Sequence, residues 1–152
     1  MLHRNFECKL DPKGRMSLPS AYRSTTTKKK SSYVITNSLF QKKKCLDVYS
    51  MKEWEKLEAK IQKMPSLKAD VQAFQRFYMA SGHEVSADSQ SRLLIPQGLR
   101  KYAELEEEVM LVGMGHKFEI WPLKTWSELF QGLTDNFENI LATVADLEQG
   151  ED

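Results

Sequence analysis

The chain has 152 residues, 41% of them hydrophobic and 28% charged, with a formal net charge of +1. That length and apolar content suit one folded unit, or two small halves sharing a core, and exclude a disordered chain. No apolar run reaches the ~20 residues of a membrane-crossing helix, and the opening MLHRNFECKL lacks the apolar segment of a signal peptide. Cys8 and Cys45 stand far apart in no CxxC spacing, so the expected setting is the cytoplasm with reduced thiols.

In chain order, Phe6, Cys8 and Leu10 alternate with polar residues, which predicts a half-buried strand. DPKG (11–14) follows with turn chemistry: Asp bonds its own backbone, Pro fixes φ, and Gly tolerates positive φ. Arg15 to Leu18 resumes the alternation, and Pro19 ends it and opens a short helix, SAYR. The polar STTTKKKSS reads as a loop, with short strands at Tyr33 to Thr36 and Leu46 to Tyr49. Trp54, Leu57, Ile61 and Met64 share one face of a predicted helix, Lys52 to Met64. Leu67, Val71, Phe74, Phe77 and Tyr78 mark a connecting helix. Strands at Glu84 to Ala87 and Arg92 to Ile95 then flank the turn DSQS, and a short helix follows at Gln97 to Tyr102. Val109 to Val112 and Lys117 to Trp121 are strands around a Gly113–Gly115 turn. Trp126, Leu129, Phe130 and Leu133 form the stripe of the next helix. Phe137, Ile140, Leu141, Val144 and Leu147 mark the last one, before an acidic tail.

The same grammar occurs twice. DPKGRMSLP (11–19) meets DSQSRLLIP (88–96) at a shift of 77, which also superposes Arg23 on Arg100. LDVYSMKEW (46–54) meets FEIWPLKTW (118–126) at a shift of 72. Two blocks in the same order indicate an internal duplication. The units read as a first repeat at 1–64, a connecting helix at 65–80, a second repeat at 81–133, and a C-terminal helix with acidic tail at 134–152. One four-stranded half leaves edges and an apolar face exposed, whereas two halves paired about a pseudo-twofold axis can close a barrel. Charge is divided too. Residues 1–64 carry 15 Lys or Arg against 6 Asp or Glu, while residues 65–152 carry 7 against 15. The basic half suits an anionic partner, and the acidic half suits another copy's basic half.

D-x-K-G-R with an apolar-S-L-P strand, then D-x-x-x-R with L-L-I-P half a chain later, resembles the MraZ family. DVYSMKEWEKLEAKIQKMP and KFEIWPLKTW resemble it as well, so the likeness covers nearly the whole chain. One such motif alone would indicate only the wider AbrB/MazE-like superfamily. The resemblance implies an α+β fold: a pseudo-symmetric double-split β-barrel of the swapped-hairpin, AbrB-like kind, built from two tandem repeats with surrounding helices. It implies a bacterial, nucleoid-associated transcriptional regulator that binds short direct repeats in the promoter of the division and cell-wall gene cluster, its own gene included. It also implies a ring-shaped homo-oligomer, with an octamer as the expected ring, and places the D-x-x-x-R motifs in or near the DNA-contacting surface. This chain departs from the pattern in copy two, where Gln90-Ser91-Arg92 stands against Lys13-Gly14-Arg15. Copy one is therefore expected to take more of the DNA contact.

Arg15 suits a bidentate contact to a guanine edge, with a bridge to Asp11 as the structural alternative. Lys13 suits a phosphate, Gly14 shapes the backbone, and Arg92, Lys9 and Arg4 are further DNA-binding candidates. Of these Lys9 and Arg4, with the lysine run 28–30, are the weaker ones, because such stretches, like the run 42–44, also solvate loops. Asp11 and Asp88 read as caps of their own turns. Trp54, Trp121 and Trp126, with Phe74, Phe77 and Tyr78, read as core or subunit interface. His3, His83 and His116 are scattered in no metal-ligand spacing, and no GxSxG, Walker or GxGxxG motif occurs. The expectation is no enzyme activity, no metal, no cofactor, no membrane and no small-molecule substrate. The rival is an antitoxin-like protein-interaction module of the same superfamily. It is disfavoured because the chain closes on an amphipathic helix rather than a long polar tail.

Overall fold

The structure is a computed structural model that describes residues 2–23 and 32–150. The lysine run 28–30 lies outside the described residues. Eight strands and five α-helices are present among them: β1 (Asn5–Lys9), β2 (Arg15–Ser17), β3 (Ser32–Phe40), β4 (Lys43–Ser50), α1 (Met51–Gln62), α2 (Ala69–Phe74), β5 (His83–Ser86), β6 (Arg92–Leu94), α3 (Gln97–Tyr102), β7 (Glu108–Gly113), β8 (Phe118–Pro122), α4 (Leu123–Asp135) and α5 (Phe137–Gly150). A 3-10 turn, Ser20–Tyr22, follows Pro19, and a π-helical turn, Gln75–Met79, continues α2.

Six strands form one antiparallel sheet in the order β1-β7-β8-β4-β3-β5, and β2 pairs β6 as a separate two-stranded ribbon. The outer strands cross between copies: β1 pairs β7, and β5 pairs β3. The registers show the duplication directly. In the ribbon, Met16 faces Leu93, its own counterpart at the 77-residue shift, while Arg15 faces Leu94 and Ser17 faces Arg92. In the sheet, Asp47 faces Glu119, its counterpart at the 72-residue shift, with Leu46 against Ile120 and Val48 against Phe118. A pseudo-twofold axis therefore passes through both pairs. Met16, Leu18, Ile35, Leu46, Val48, Leu93, Ile95, Val109, Leu111, Phe118 and Ile120 fill the space between ribbon and sheet as one core.

Local chemistry explains several element ends. Ser50 caps α1, its side chain accepting the Glu53 N–H at 3.2 Å. Gln41 and Lys42 both take positive φ, 50° and 66°, and close a two-residue hairpin between β3 and β4. That hairpin corrects the sequence reading: the strands are longer than Tyr33–Thr36 and Leu46–Tyr49, and Lys43 and Lys44 belong to β4 rather than to a loop. No Gly-containing signal marks the turn, which hid it. The connecting helix starts later than its apolar pattern suggests, and Leu67 stays outside it and is 90% exposed.

The outer face of the sheet carries two smaller apolar clusters. Val34, Tyr49, Trp54 and Tyr78 form one under α1 and the π turn, and Cys45, Val112, Trp121 and Leu129 form the other under α4. Trp54 and Trp121 are buried and Trp126 packs half-buried on the second cluster, whereas Phe74 and Phe77 remain about two-fifths exposed. Between the clusters lies a polar centre that the sequence reading missed. Fully buried Asp47 accepts from the Lys117 ammonium at 2.7 Å and from the Tyr78 hydroxyl, and that hydroxyl also pairs with Tyr49 at 2.6 Å. Burial alone would push the Lys117 amine down, yet Asp47 beside it holds it above its ordinary value. Among the described residues α5 packs against little but α4, leaving Phe137, Leu141, Val144 and Leu147 more than half exposed along one side.

Candidate nucleic-acid interface

The two D-x-x-x-R segments fold into the same turn. The Asp11 carboxylate accepts the Lys13 N–H at 2.9 Å and the Arg15 N–H at 2.8 Å through Oδ1, and Arg15 Nε at 2.6 Å through Oδ2. Asp88 repeats every contact, with the Gln90 N–H and the Arg92 N–H at 2.9 Å and Arg92 Nε at 2.8 Å. The backbone closes alike as well. Gly14 N–H donates to the Asp11 carbonyl and Ser91 N–H to the Asp88 carbonyl, each at 2.9 Å. Gathered backbone and side-chain N–H groups hold both carboxyls below their ordinary value, the Arg15 or Arg92 N–H being the leading cause in each turn.

The fourth position of the turn, just before the arginine, takes positive φ. Gly14 supplies it at 88°, and Ser91 adopts it at 58°. Ser91 thus keeps the turn's shape where the sequence departs from glycine, at a conformational cost. Each turn is then locked by the other copy: the Gly14 carbonyl accepts from Ile95 N–H at 3.0 Å, and the Ser91 carbonyl from Leu18 N–H at 2.9 Å. Arg23 and Arg100, superposed by the repeat, donate their Nε to the Leu18 and Ile95 carbonyls at 3.1 and 2.9 Å. The two turns, β2 and β6 therefore form one rigid unit.

Strand alternation sorts that unit into two faces. Met16 and Leu93 point into the core with no exposed surface. Arg15, Ser17, Arg92 and Leu94 occupy the opposite, outward face. Both arginines use Nε on their own Asp, and their terminal amines have no hydrogen-bond partner among the described residues. The carboxylate thus fixes the plane of each guanidinium and leaves the donor fork presented outward. Lys13 is exposed at the tip of its turn, where copy two has exposed Gln90.

The other candidates lie on or just before β1, whose following residue, Leu10, bridges to Met16 of the ribbon. Lys9 is exposed on β1 opposite Glu108. Arg4 takes φ 78°, lies over the Phe6 ring at 5.4 Å, and gives its carbonyl to the Tyr22 hydroxyl at 2.5 Å. Burial raises the Tyr22 hydroxyl to about 12, so it remains a donor there. Cys8 is half-buried and Cys45 fully buried, and burial raises both thiols. The fold also gathers Cys45, Asp47 and Glu119 from two strands, with ligand-type atoms within 4.8 Å of one another, a grouping no local spacing announces. Lys117 already supplies a cation to that group. Among the described residues no helix is long and apolar enough to cross a membrane.

A family model described as "MraZ protein, putative antitoxin-like" matches residues 1–77 and 79–147. A curated relative, "Transcriptional regulator MraZ" of Thermoanaerobacter sp. (strain X514), is 37% identical over 147 residues, covering 97% of this chain and 99% of its own. The match spans both copies of the turn and the helices after them, and with it the chain is shown to belong to the MraZ family.

Proposed function

We propose that this protein is a sequence-specific regulator of transcription that binds double-stranded DNA, and not an enzyme. The observation that carries the reading is the outward face of the β2–β6 ribbon, with two arginines aimed by their own Asp residues. A two-stranded ribbon fits the major groove, ~12 Å wide, and an arginine fork matches O6 and N7 of guanine. Lys13 at the turn tip, with Lys9 and Arg4 further out, serves phosphates, while Gly14 and the buried turn backbone set the approach. Copy one, with Lys13 beside Arg15, takes more of the contact than copy two, where Gln90 brings no charge.

The target is a set of short direct repeats in the promoter of the division and cell-wall gene cluster, the protein's own promoter included. One ribbon holds one element weakly. A ring of copies, an octamer in this proposal, holds several at once, since each later contact is intramolecular. Barrel closure of the swapped-hairpin kind joins sheet and ribbon into the rigid mount for each reading face. The units are those of the two repeats, 1–64 and 81–133, with the connecting helix 65–80 and the C-terminal segment 134–152. The expected location is the bacterial cytoplasm, on the nucleoid. The rival reading is an antitoxin-like protein-interaction module, whose helices and tail would neutralise a partner protein.

Selection of bound DNA from a random pool, followed by mobility shifts on the recovered element, tests the proposal. Arg15→Ala should abolish binding while light scattering shows the oligomer intact. Binding should also fall steeply with salt as counterions are released. Unchanged binding by Arg15→Ala, or a flat salt response, overturns the reading.

A further inference from the structure

The reading face is not symmetric, although the hydrogen bonds of the turns that frame it are. At the 77-residue shift Ser17 corresponds to Leu94. Copy one therefore presents Arg15 and Ser17, and copy two presents Arg92 and Leu94, on the same outward side of the ribbon. Leu94 is 49% exposed in a three-residue strand whose next residue inward, Leu93, is fully buried. A half-exposed leucine between two arginines gains nothing from the protein's own core. An identical face on a second copy makes a poor cover, because it would bring Arg15 and Arg92 against their own likes. The occupant that suits both chemistries is a base-pair edge offering acceptors to the arginines and a methyl group to the leucine. In the major groove that group is the 5-methyl of thymine.

We propose that Leu94 recognises a thymine methyl group and that the Ser17/Leu94 difference gives the bound element a direction. This rests on the regulator reading above. Directly opposed residues on paired strands lie about 5 Å apart at Cβ, so Leu94 faces the base step adjoining the one that Arg15 contacts. Ser17, opposite Arg92, offers a hydroxyl there and discriminates little. A pseudo-twofold ribbon would read an element and its reverse complement alike. With leucine on one side only, the two orientations differ, so repeats on one strand in one direction can be told from inverted ones.

The test uses the full chain and the element recovered from the random pool. Each thymine is replaced in turn by deoxyuridine, which removes only the methyl group. Wild type should lose about fourfold in affinity at one position. Leu94→Ser should bind with no uracil-sensitive position, with its unfolding midpoint unchanged because the site is exposed. The exchanged chain, Ser17→Leu with Leu94→Ser, should move the sensitive position to the other half of the element. Retained binding with no uracil effect, or an effect that survives Leu94→Ser, overturns this inference and leaves the regulator reading standing. Failure of wild type to retain any element overturns both.

Discussion

Arg100 of the second copy lies so close under Gly14 of the first that a Cβ on Gly14 would fall 2.4 Å from its Cζ. Gly14 also holds φ at 88°. Two penalties therefore meet in Gly14→Ala: left-handed strain of about 1–2 kcal/mol, and displacement of a guanidinium whose Nε is bonded to the Ile95 carbonyl. The variant should lose about 2 kcal/mol or somewhat more in urea unfolding. Ser91→Gly at the equivalent turn relieves the same strain and should gain about 0.5–1 kcal/mol. A stabilised Gly14→Ala would contradict the shared geometry of the turns.

The turn carboxylates set an acid limb. Asp11 and Asp88 titrate below their ordinary value of 3.8, so the folded state favours their charged forms. Their contribution is present above the unfolded value and is lost as pH falls through the lower folded value. Both groups are solvent-facing, so the effect is modest and screened by salt. The double variant Asp11→Asn, Asp88→Asn should show a shallower fall of the urea midpoint than wild type as pH drops below the ordinary carboxylate value of 3.8. Parallel curves would remove the turns from the acid response.

What was readable in the sequence had short range or repeated itself. The Asp11–Arg15 turn closes over four residues, its composition names its shape, and its second copy at Asp88–Arg92 supports it. Alternation at Arg15–Leu18, which turns Met16 and Leu18 to one side, was readable as well. The polar centre was not readable, because Asp47 meets Tyr78 and Lys117 across 31 and 70 residues. Tyr78 lies in an apolar helical stripe, and nothing local separates its hydroxyl from an ordinary core ring. Nor does spacing tell that Leu94, in an unbroken apolar run with Leu93 and Ile95, alone faces outward. That depends on ribbon pairing with the other copy.

Tyr78 ties the connecting segment to the pseudo-axis. Its hydroxyl bonds Asp47 and Tyr49, its carbonyl accepts from Thr36 Oγ1 at 2.5 Å, and its ring packs near Tyr49 and Trp54. Tyr78→Phe keeps the ring and the carbonyl contact but removes a donor from a fully buried carboxylate. Lys117 still pairs with Asp47, so the expected loss is about 1–3 kcal/mol rather than complete unfolding. Tyr78→Leu should cost more, because ring packing goes as well. Denaturant unfolding of the three proteins gives the order, and equal stability of wild type and Tyr78→Phe would count against the network.

The outer side of α5 is the surface most in need of a partner. Phe137, Leu141, Val144 and Leu147 recur at helical spacing and are each at least 55% exposed. Little of the rest of the described residues covers them, and a stripe of this kind marks an association surface. In the proposed ring its occupant is a second copy. Leu141→Glu with Val144→Glu places two charges in the stripe, and any contact burying them must desolvate both. The pair should reduce the assembly to smaller species in light scattering, while the unfolding midpoint of the isolated fold, read at low concentration, stays within about 0.5 kcal/mol of wild type. Affinity for the recovered DNA element should then fall as well, because the contacts made by linked copies are lost. An assembly of unchanged mass would move the subunit contact away from α5.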